Sequence, residues 1–349
     1  MDFNIHFSMS YPGHAYGGAR FFADMVEQAQ LADRLGFRSV SLTEHHLIDL
    51  GLTPAPLMAA VKIAAHTRSV DIITSVVVLP LHDMRVYAGE VVMADILTDG
   101  RLVLGLGRGG YAYEMERLGV PMAETRERFD ESVDVLHALL TREDVSWDGK
   151  YYKFEPLTVM PRPLRPGGPR MMMAVMNPEG IYACTKRGFS ILTTALTGNM
   201  DQFRAQVDAF HRAKSEMGEA ARDQILSVSR AAFVASSDAH RRAKLEQAQV
   251  HYGRLDNMFT GPGLVDRGIV RSLPRTQTVE QLAQNILVCT AGEMVDRLGL
   301  FEQLGIDRVS MVLNFGSSHE ETLETIQRIA EDVMPHFQKA RAGRAAVEA

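Results

Sequence analysis

Glu44, His45 and His46 stand together in the run Leu42-Thr43-Glu44-His45-His46, at the end of a short apolar segment that begins at Phe37. Successive strand side chains point to opposite faces of a sheet, so two adjacent imidazoles cannot both be packing residues of one face. Imidazole titrates near neutral pH, and a neighbouring carboxylate can orient a ring or tune its proton affinity. The run therefore suits proton transfer, with His45, Glu44 and His46 as candidate catalytic residues. In a (β/α)₈ barrel, such a strand end would lie on the catalytic face. The competing reading is a surface histidine pair ahead of the next helix.

Two further motifs carry ligand chemistry. Gly105-Leu106-Gly107-Arg108-Gly109-Gly110 fits G-x-G-x-x-G after a strand. A dinucleotide fingerprint must open a helix at once and reach a second strand ending in an acid about twenty residues on. Tyr111-Ala112-Tyr113 and Pro121 intervene instead. The better reading is a strand ending in small residues, against which a flat ligand can lie. Met176-Asn177-Pro178-Glu179-Gly180 follows another strand, with Asn177 as N-cap and Pro178 in the first helical turn. Free N–H groups at a helix start suit phosphate, and Arg108 could reach the same anion. A metal site is the weaker alternative: no H-E-x-x-H occurs, and His14, His66 and His82 are scattered without ligand spacing. There is no G-x-S-x-G elbow, and Met171-Met172-Met173 reads as strand core.

The elements that must position these groups alternate. Strands are expected at Phe3–Met9, Phe37–Leu42, Asp71–Leu79, Arg101–Gly107, Arg170–Val175, Phe189–Thr194, Leu226–Ala235 and Asp307–Asn314. Helices are expected at Ala19–Leu35, from Pro54, at Arg85–Leu97, Glu124–Leu140, from Pro178, and at Met200–Glu216, Asp238–His251, Gly292–Leu304 and Glu320–Phe337. A hairpin is expected to turn at Asp148-Gly149. Eight such units point to an α/β chain folded as a (β/α)₈ TIM barrel with insertions, in one domain over 1–338; a doubly wound sheet is the competitor. Tyr252–Thr278, rich in Gly, Pro and Arg, is expected to be a long loop acting as a lid, and 339–349 a frayed tail.

Composition bounds the partners. The 349 residues are 46% hydrophobic and 23% charged, with net charge −6, which gives no electrostatic reason to expect nucleic acid or an anionic membrane. The apolar run Ile72–Leu81 is too short to span a bilayer. Two distant cysteines, Cys184 and Cys289, exclude a disulfide framework and fit a reducing cytoplasm.

Taken together, Glu44-His45-His46, Val78-Leu79-Pro80, Asp95 through Arg101, Gly105 through Gly109, Leu304-Gly305-Ile306-Asp307, Asn314-Phe315-Gly316 and Val333-Met334-Pro335 resemble the bacterial luciferase-like flavin monooxygenases. The resemblance covers almost the whole chain. It implies a barrel that holds FMN at its carboxyl face, with His45 matching the family's active-site histidine and His46 its neighbour. Arg108 and Asn177–Gly180, including Glu179, match the flavin-phosphate site. Thr74, Ser75 and Val76 match the strand behind the isoalloxazine ring, where the family often has a non-proline cis peptide; Gly107, Tyr111 and Met176 complete the expected cofactor set. Gly107 stands where light-emitting luciferase α subunits carry a reactive cysteine, and Asn177 replaces the more usual serine.

The resemblance further implies a two-component monooxygenase. Reduced FMN would come from a separate NAD(P)H:flavin reductase, O2 would be the second substrate, and a small, largely apolar organic molecule would be oxygenated. A homodimer or a heterodimer is expected, built through early helices such as Pro54–Arg68 and Arg85–Leu97, whose outward apolar positions would otherwise face water; the resemblance points the same way. No metal is expected. The alternatives are a deazaflavin-dependent oxidoreductase of the same fold and a non-catalytic flavin-binding partner subunit.

Overall fold

The computed structural model describes residues 1–337; the expected tail, 339–349, lies outside them. Eight strands form its centre: β1 (Asp2–Phe7), β2 (Ser39–Leu42), β3 (Asp71–Thr74), β4 (Leu102–Gly107), β5 (Arg170–Ala174), β6 (Ser190–Thr193), β7 (Leu226–Val234) and β8 (Arg308–Val312). Each pairs in parallel with the next, and β8 pairs with β1, Asp2 facing Arg308 and His6 facing Val312. The sheet is a closed barrel, so every barrel strand has two neighbours and no edge is exposed.

Helices cover the outside: α1 (Gly18–Arg34), α2 (Pro56–Ala64), α3 (Met84–Leu97), α4 (Ala112–Arg117), α5 (Thr125–Thr141), α6 (Pro178–Lys186), α7 (Met200–Met217), α8 (Asp238–Phe259), α9 (Val279–Asn285), α10 (Ala291–Gln303) and α11 (His319–Arg328). Ile5, Val40, Ile72, Leu104, Val228 and Val309 pack with buried helix residues such as Met25, Ile63, Val91, Leu136 and Phe203. A second cluster, Ile73, Val103, Met172 and Leu192, comes from the alternate strand positions. Strands buried on both faces must be apolar at both parities, which explains the nearly unbroken apolar run of β3 and β4. The amino end of the barrel is closed by charge: Asp71 bonds Arg170 at 2.7 Å and Arg38 at 3.0 Å. Among the described residues, no helix is long and apolar enough to cross a membrane.

All eight expected barrel strands are present, most of them a residue or two shorter at their ends, and the Asp148-Gly149 hairpin joins Val145–Asp148 to Lys153–Leu157. The departures have local causes. Helix α2 opens at Pro56, not Pro54, and the later proline occupies the first turn. The expected strand Asp71–Leu79 stops at Thr74 and resumes only at Val77–Val78, before a 3₁₀ turn at Leu79–Leu81; the intervening Ser75–Val76 peptide is cis.

The expected loop Tyr252–Thr278 begins as helix, because α8 runs on to Phe259 and buries Tyr252 and Met258. Gly253 hid that continuation in the sequence, yet it is required: a Cβ there would come within 2.4 Å of the Leu273 carbonyl oxygen. The rest of the segment holds a short hairpin, Val265–Asp266 with Ile269–Val270. The last helix is also divided, α11 giving way to a π turn at Ile329–Val333. Helices α4 and α9 and the strand Leu287–Cys289, which pairs with β7, were not foreseen. They are too short to show a period.

Strands β3 and β4 approach closely around Gly105. A Cβ at that position would lie 2.0 Å from the Thr74 carbonyl oxygen and 2.7 Å from Leu192 Cδ1, and backbone cannot yield as a side-chain tip can. Gly105→Ala is expected to lower stability by about 1–3 kcal/mol, the usual range for overpacking. Urea denaturation reads this as a lower midpoint at unchanged slope; an unmoved midpoint would mean that the two strands part freely.

Candidate active site

The loop after β2 turns back on itself: Thr43 Oγ1 donates to the Gly51 carbonyl at 2.9 Å. Gly51, at φ +70°, lies against the His45 ring, where a Cβ would come within 2.5 Å of Cδ2. Between these ends, beyond β2, Glu44 and His46 turn to one side and His45 to the other.

Glu44 turns inward and is 2% exposed. Its Oε1 lies 3.0 Å from His46 Nε2 and 2.8 Å from His82 Nε2, and its Oε2 accepts the Val78 N–H at 2.7 Å. Burial alone would raise the Glu44 pKa, but the bonds from His46, His82 and Val78 hold it below the ordinary carboxylate value. In return, the bond to Glu44 raises His46 above the ordinary imidazole value, against the effect of burial. The carboxylate is thus ionised and shared by two imidazoles. His82, scattered in sequence, is brought in by the 3₁₀ turn that precedes it, and its ring stacks on Tyr87 at 4.2 Å.

His45 turns the other way. Its Nδ1 lies 2.8 Å from Glu114 Oε2 on α4, and Glu114 Oε1 accepts the His46 backbone N–H. The ring stacks on Tyr111 at 4.4 Å and 14°, and Tyr111 meets Phe259 of α8 edge-on at 4.8 Å. Glu114 was missed by sequence reasoning. The signal is faint: it lies three residues beyond Tyr111 on a helix of only six residues.

At the neighbouring wall the Val76 side chain sits against Gly107. A Cβ at Gly107 would come within 2.2 Å of Val76 Cγ2. Thr74 is occupied elsewhere, its hydroxyl accepting the Gly105 N–H at 2.9 Å and donating to the Gly105 carbonyl at 3.0 Å; Ser75 N–H donates to the Leu42 carbonyl at 2.5 Å.

Arg108 donates to Thr125 Oγ1 at 3.3 Å, at the start of α5. Burial, then repulsion from Arg126, lower its pKa, and among the described residues it forms no ion pair. Arg126 and Asp130 both act on this guanidinium, Asp130 in the opposite direction. The expected helix start is present: Asn177 caps α6, accepting the Gly180 N–H at 2.6 Å. Ile181 N–H bonds the Asn177 carbonyl, and Pro178 has none, so the first turn leaves the Glu179 N–H for a ligand. Met176 is exposed, and its carbonyl accepts from Gln206 at 2.6 Å. Among the described residues, no cluster of three or more His, Cys, Asp and Glu side chains could hold a metal ion.

Comparison with known proteins gives a consistent picture. Residues 1–308 match the family described as luciferase-like monooxygenase. The oxygenase component of a flavin-dependent trigonelline monooxygenase from Acinetobacter baylyi is 25% identical over 99% of this chain and 98% of that protein. The crystal structure of the monooxygenase RslO1 from Streptomyces bottropensis superposes with a TM-score of 0.85 at 26% identity, over 97% of this chain and all of that one (100%). An F420-dependent secondary alcohol dehydrogenase shares the fold alone, with a TM-score of 0.77 at 17% identity, over 96% of this chain and 98% of that one.

The Glu44 arrangement has a pH signature. Because His46 binds its proton more tightly in the folded chain, its pairing stabilises the fold fully below the ordinary value of 6.5. That contribution is lost as pH rises through the elevated value. Histidine ring NMR is expected to put the His46 midpoint above 6.5 in the wild type and to move it down in Glu44→Gln. A midpoint indifferent to that substitution would contradict the pairing.

Proposed function

The chain belongs to the luciferase-like monooxygenase family, and on that premise we propose that it is the oxygenase component of a two-component system. It takes reduced FMN from a separate NAD(P)H:flavin reductase, uses O2, and oxygenates a small, largely apolar organic substrate. The observation that carries this reading is the His45–Glu114 pair together with Arg108, a guanidinium that forms no ion pair among the described residues.

The residues present fit FMN. The Val76 side chain, seated against Gly107 where any Cβ would collide with it, suits the support of the flat face of an isoalloxazine ring. Arg108, unpaired and close to Arg126, suits a phosphate, aided by the Glu179 N–H at the start of α6. The Asn177 side chain is committed to capping, so in this reading it shapes the loop and leaves the phosphate to Arg108 and backbone. When bound, reduced FMN supplies the electrons that activate O2.

The protein's own residues hold and move protons and exclude water. With His45 Nδ1 bonded to Glu114, Nε2 is the ring nitrogen left for proton exchange at the reacting centre. Glu114 acts through His45 by fixing its ring and tautomer. Glu44 and His46 form the second pair, and Glu44, wholly enclosed, acts by holding His46 and His82. Residues 252–278 act as the lid. Its hairpin packs Val270 with Ile48, Leu50, Tyr111 and Met258 over the site, keeping water from the reaction.

A homodimer belongs to the same reading. Met58 on α2 and Val86, Met93 and Leu97 on α3 are exposed, and the three on α3 recur at helical spacing as one apolar stripe.

Two substitutions separate binding from chemistry. Arg108→Ala is expected to weaken FMN binding by about 1.5–3 kcal/mol, the range for a charge-assisted hydrogen bond, as read by equilibrium dialysis. His45→Ala is expected to keep the fold and FMN binding while oxygen consumption turns to hydrogen peroxide release, with product formation falling about 10²–10⁴-fold. Wild-type coupling in His45→Ala would remove His45 from the mechanism, and an unchanged dissociation constant in Arg108→Ala would remove Arg108 from the phosphate site.

A further inference from the structure

Behind His82, a polar cavity of about 420 Å³ opens where α3 and α5 begin, against the Asp148-Gly149 hairpin. Three of its lining side chains are cationic, Arg85, Arg128 and Lys153, and Asp83 is the one carboxylate among the lining residues. Arg108, Asn177 and Glu179, the residues read above as the flavin-phosphate site, do not line it.

The three cations come from separate elements and differ in what holds them. Arg85, in the first turn of α3, is bonded to Asp83 through Nε and Nη2, which leaves its Nη1. Lys153 pairs with Asp148 at 2.7 Å, but both side chains are exposed, and a pair of that kind is screened by solvent and yields readily. Arg128, on α5, is different. Among the described residues it forms no ion pair, and its Nε is enclosed without a hydrogen-bond partner. Asp83 is held below the ordinary carboxylate value first by its bond with Arg85, and the charge of Arg128 adds to this only through space. A guanidinium N–H enclosed without an acceptor costs free energy until a ligand supplies one, and its planar fork suits phosphate oxygens. The back wall of the cavity reaches the catalytic face. Arg128 acts on the Tyr152 hydroxyl, which lies 2.9 Å from Ser132 Oγ and 3.2 Å from the His82 carbonyl oxygen. The His82 ring in turn lies 2.8 Å from Glu44 Oε1.

We propose that this cavity is a second anion site, separate from the flavin site, and that it takes the phosphate group of a small molecule with Arg128 as its anchor. Arg85 Nη1 and Lys153 close on the same group from the other two sides. The amino ends of α3 and α5 add their partial positive charge to the three side chains. A concave site of this size encloses one group of a small ligand. Because Tyr152 joins Arg128 to the His82 backbone, occupancy is felt at the ring that holds Glu44. The site stands independently of the oxygenase reading.

The test is calorimetric titration of the full chain with inorganic phosphate and, separately, with phenyl phosphate, at constant ionic strength held by sodium chloride. Each titration is run with and without saturating FMN, and histidine ring spectra of ¹⁵N-labelled protein are recorded on the same samples. Phosphate is expected to bind the FMN-saturated chain and to move the His82 ring resonances. Arg128→Ala is expected to weaken that binding at least about tenfold, a factor worth about 1.4 kcal/mol, and Arg128→Lys, which keeps the charge, to restore part of it. Arg108→Ala is expected to leave it unchanged. Thermal melts confirm that each variant is folded. Tighter binding of phenyl phosphate identifies an esterified ligand and tighter binding of inorganic phosphate the free ion; either supports the site. Val86 of the apolar stripe on α3 follows Arg85 directly, so light scattering follows the oligomeric state of every variant. Absence of binding at millimolar phosphate, competition by FMN, undiminished binding in Arg128→Ala or an unmoved His82 would each overturn the proposal. Dissociation of a dimer in Arg128→Ala with phosphate binding intact would overturn it as well, by assigning the pocket to a second copy of the chain.

Discussion

One buried carboxylate organises the carboxyl face of this barrel. Enclosing an ionised Glu44 would cost several kcal/mol without partners, and the structure meets that demand with His46, His82 and the Val78 N–H. Those donors come from the loop after β2, the 3₁₀ turn ahead of α3, and the strand fragment after the cis peptide. Satisfying one charge therefore locks three backbone segments to one another. Because neighbouring side chains diverge, fixing Glu44 inward also sends His45 the other way, toward Glu114 and Tyr111. Loss of the Glu44 carboxylate would loosen more than one bond.

The same loop anchors the hairpin of Val265–Asp266 and Ile269–Val270. Asp49 Oδ1 accepts the Val270 N–H at 2.9 Å and pairs with Arg254 on α8, while its own N–H donates to the Gly268 carbonyl at 2.8 Å. Ile48 and Leu50, on either side, pack with Tyr111, Met258 and Val270. The hairpin, the Tyr111 platform and the residues after His46 thus share one small core. The hairpin is thereby tied to the same loop that places His45.

How much of this was legible in the sequence depended on range. The eight barrel strands were readable because strands buried on both faces leave continuous apolar runs. The Glu44-His45-His46 run and the Asn177 cap stood out because their chemistry is local. Glu114 and His82 were not readable as site residues, since their partners lie 69 and 38 positions away and no spacing rule joins a six-residue helix or a 3₁₀ turn to a strand end. The segment 252–278 was half legible: Gly253 and the Pro/Gly-rich stretch beyond it signalled a loop, whereas packing of Tyr252 with Ala231 and Phe233 of β7 carried α8 through it.

The central claim is that this carboxyl face holds reduced FMN as its working coenzyme. Anaerobic titration of the chain with chemically reduced FMN, and in parallel with reduced F420, tests it most directly, followed by mixing with oxygenated buffer and measurement of the reoxidation rate. The account predicts saturable binding of one FMN per chain, much weaker binding of F420, and an oxygen reaction whose rate differs from that of free reduced FMN. Stoichiometric binding of F420 with none of FMN would contradict it.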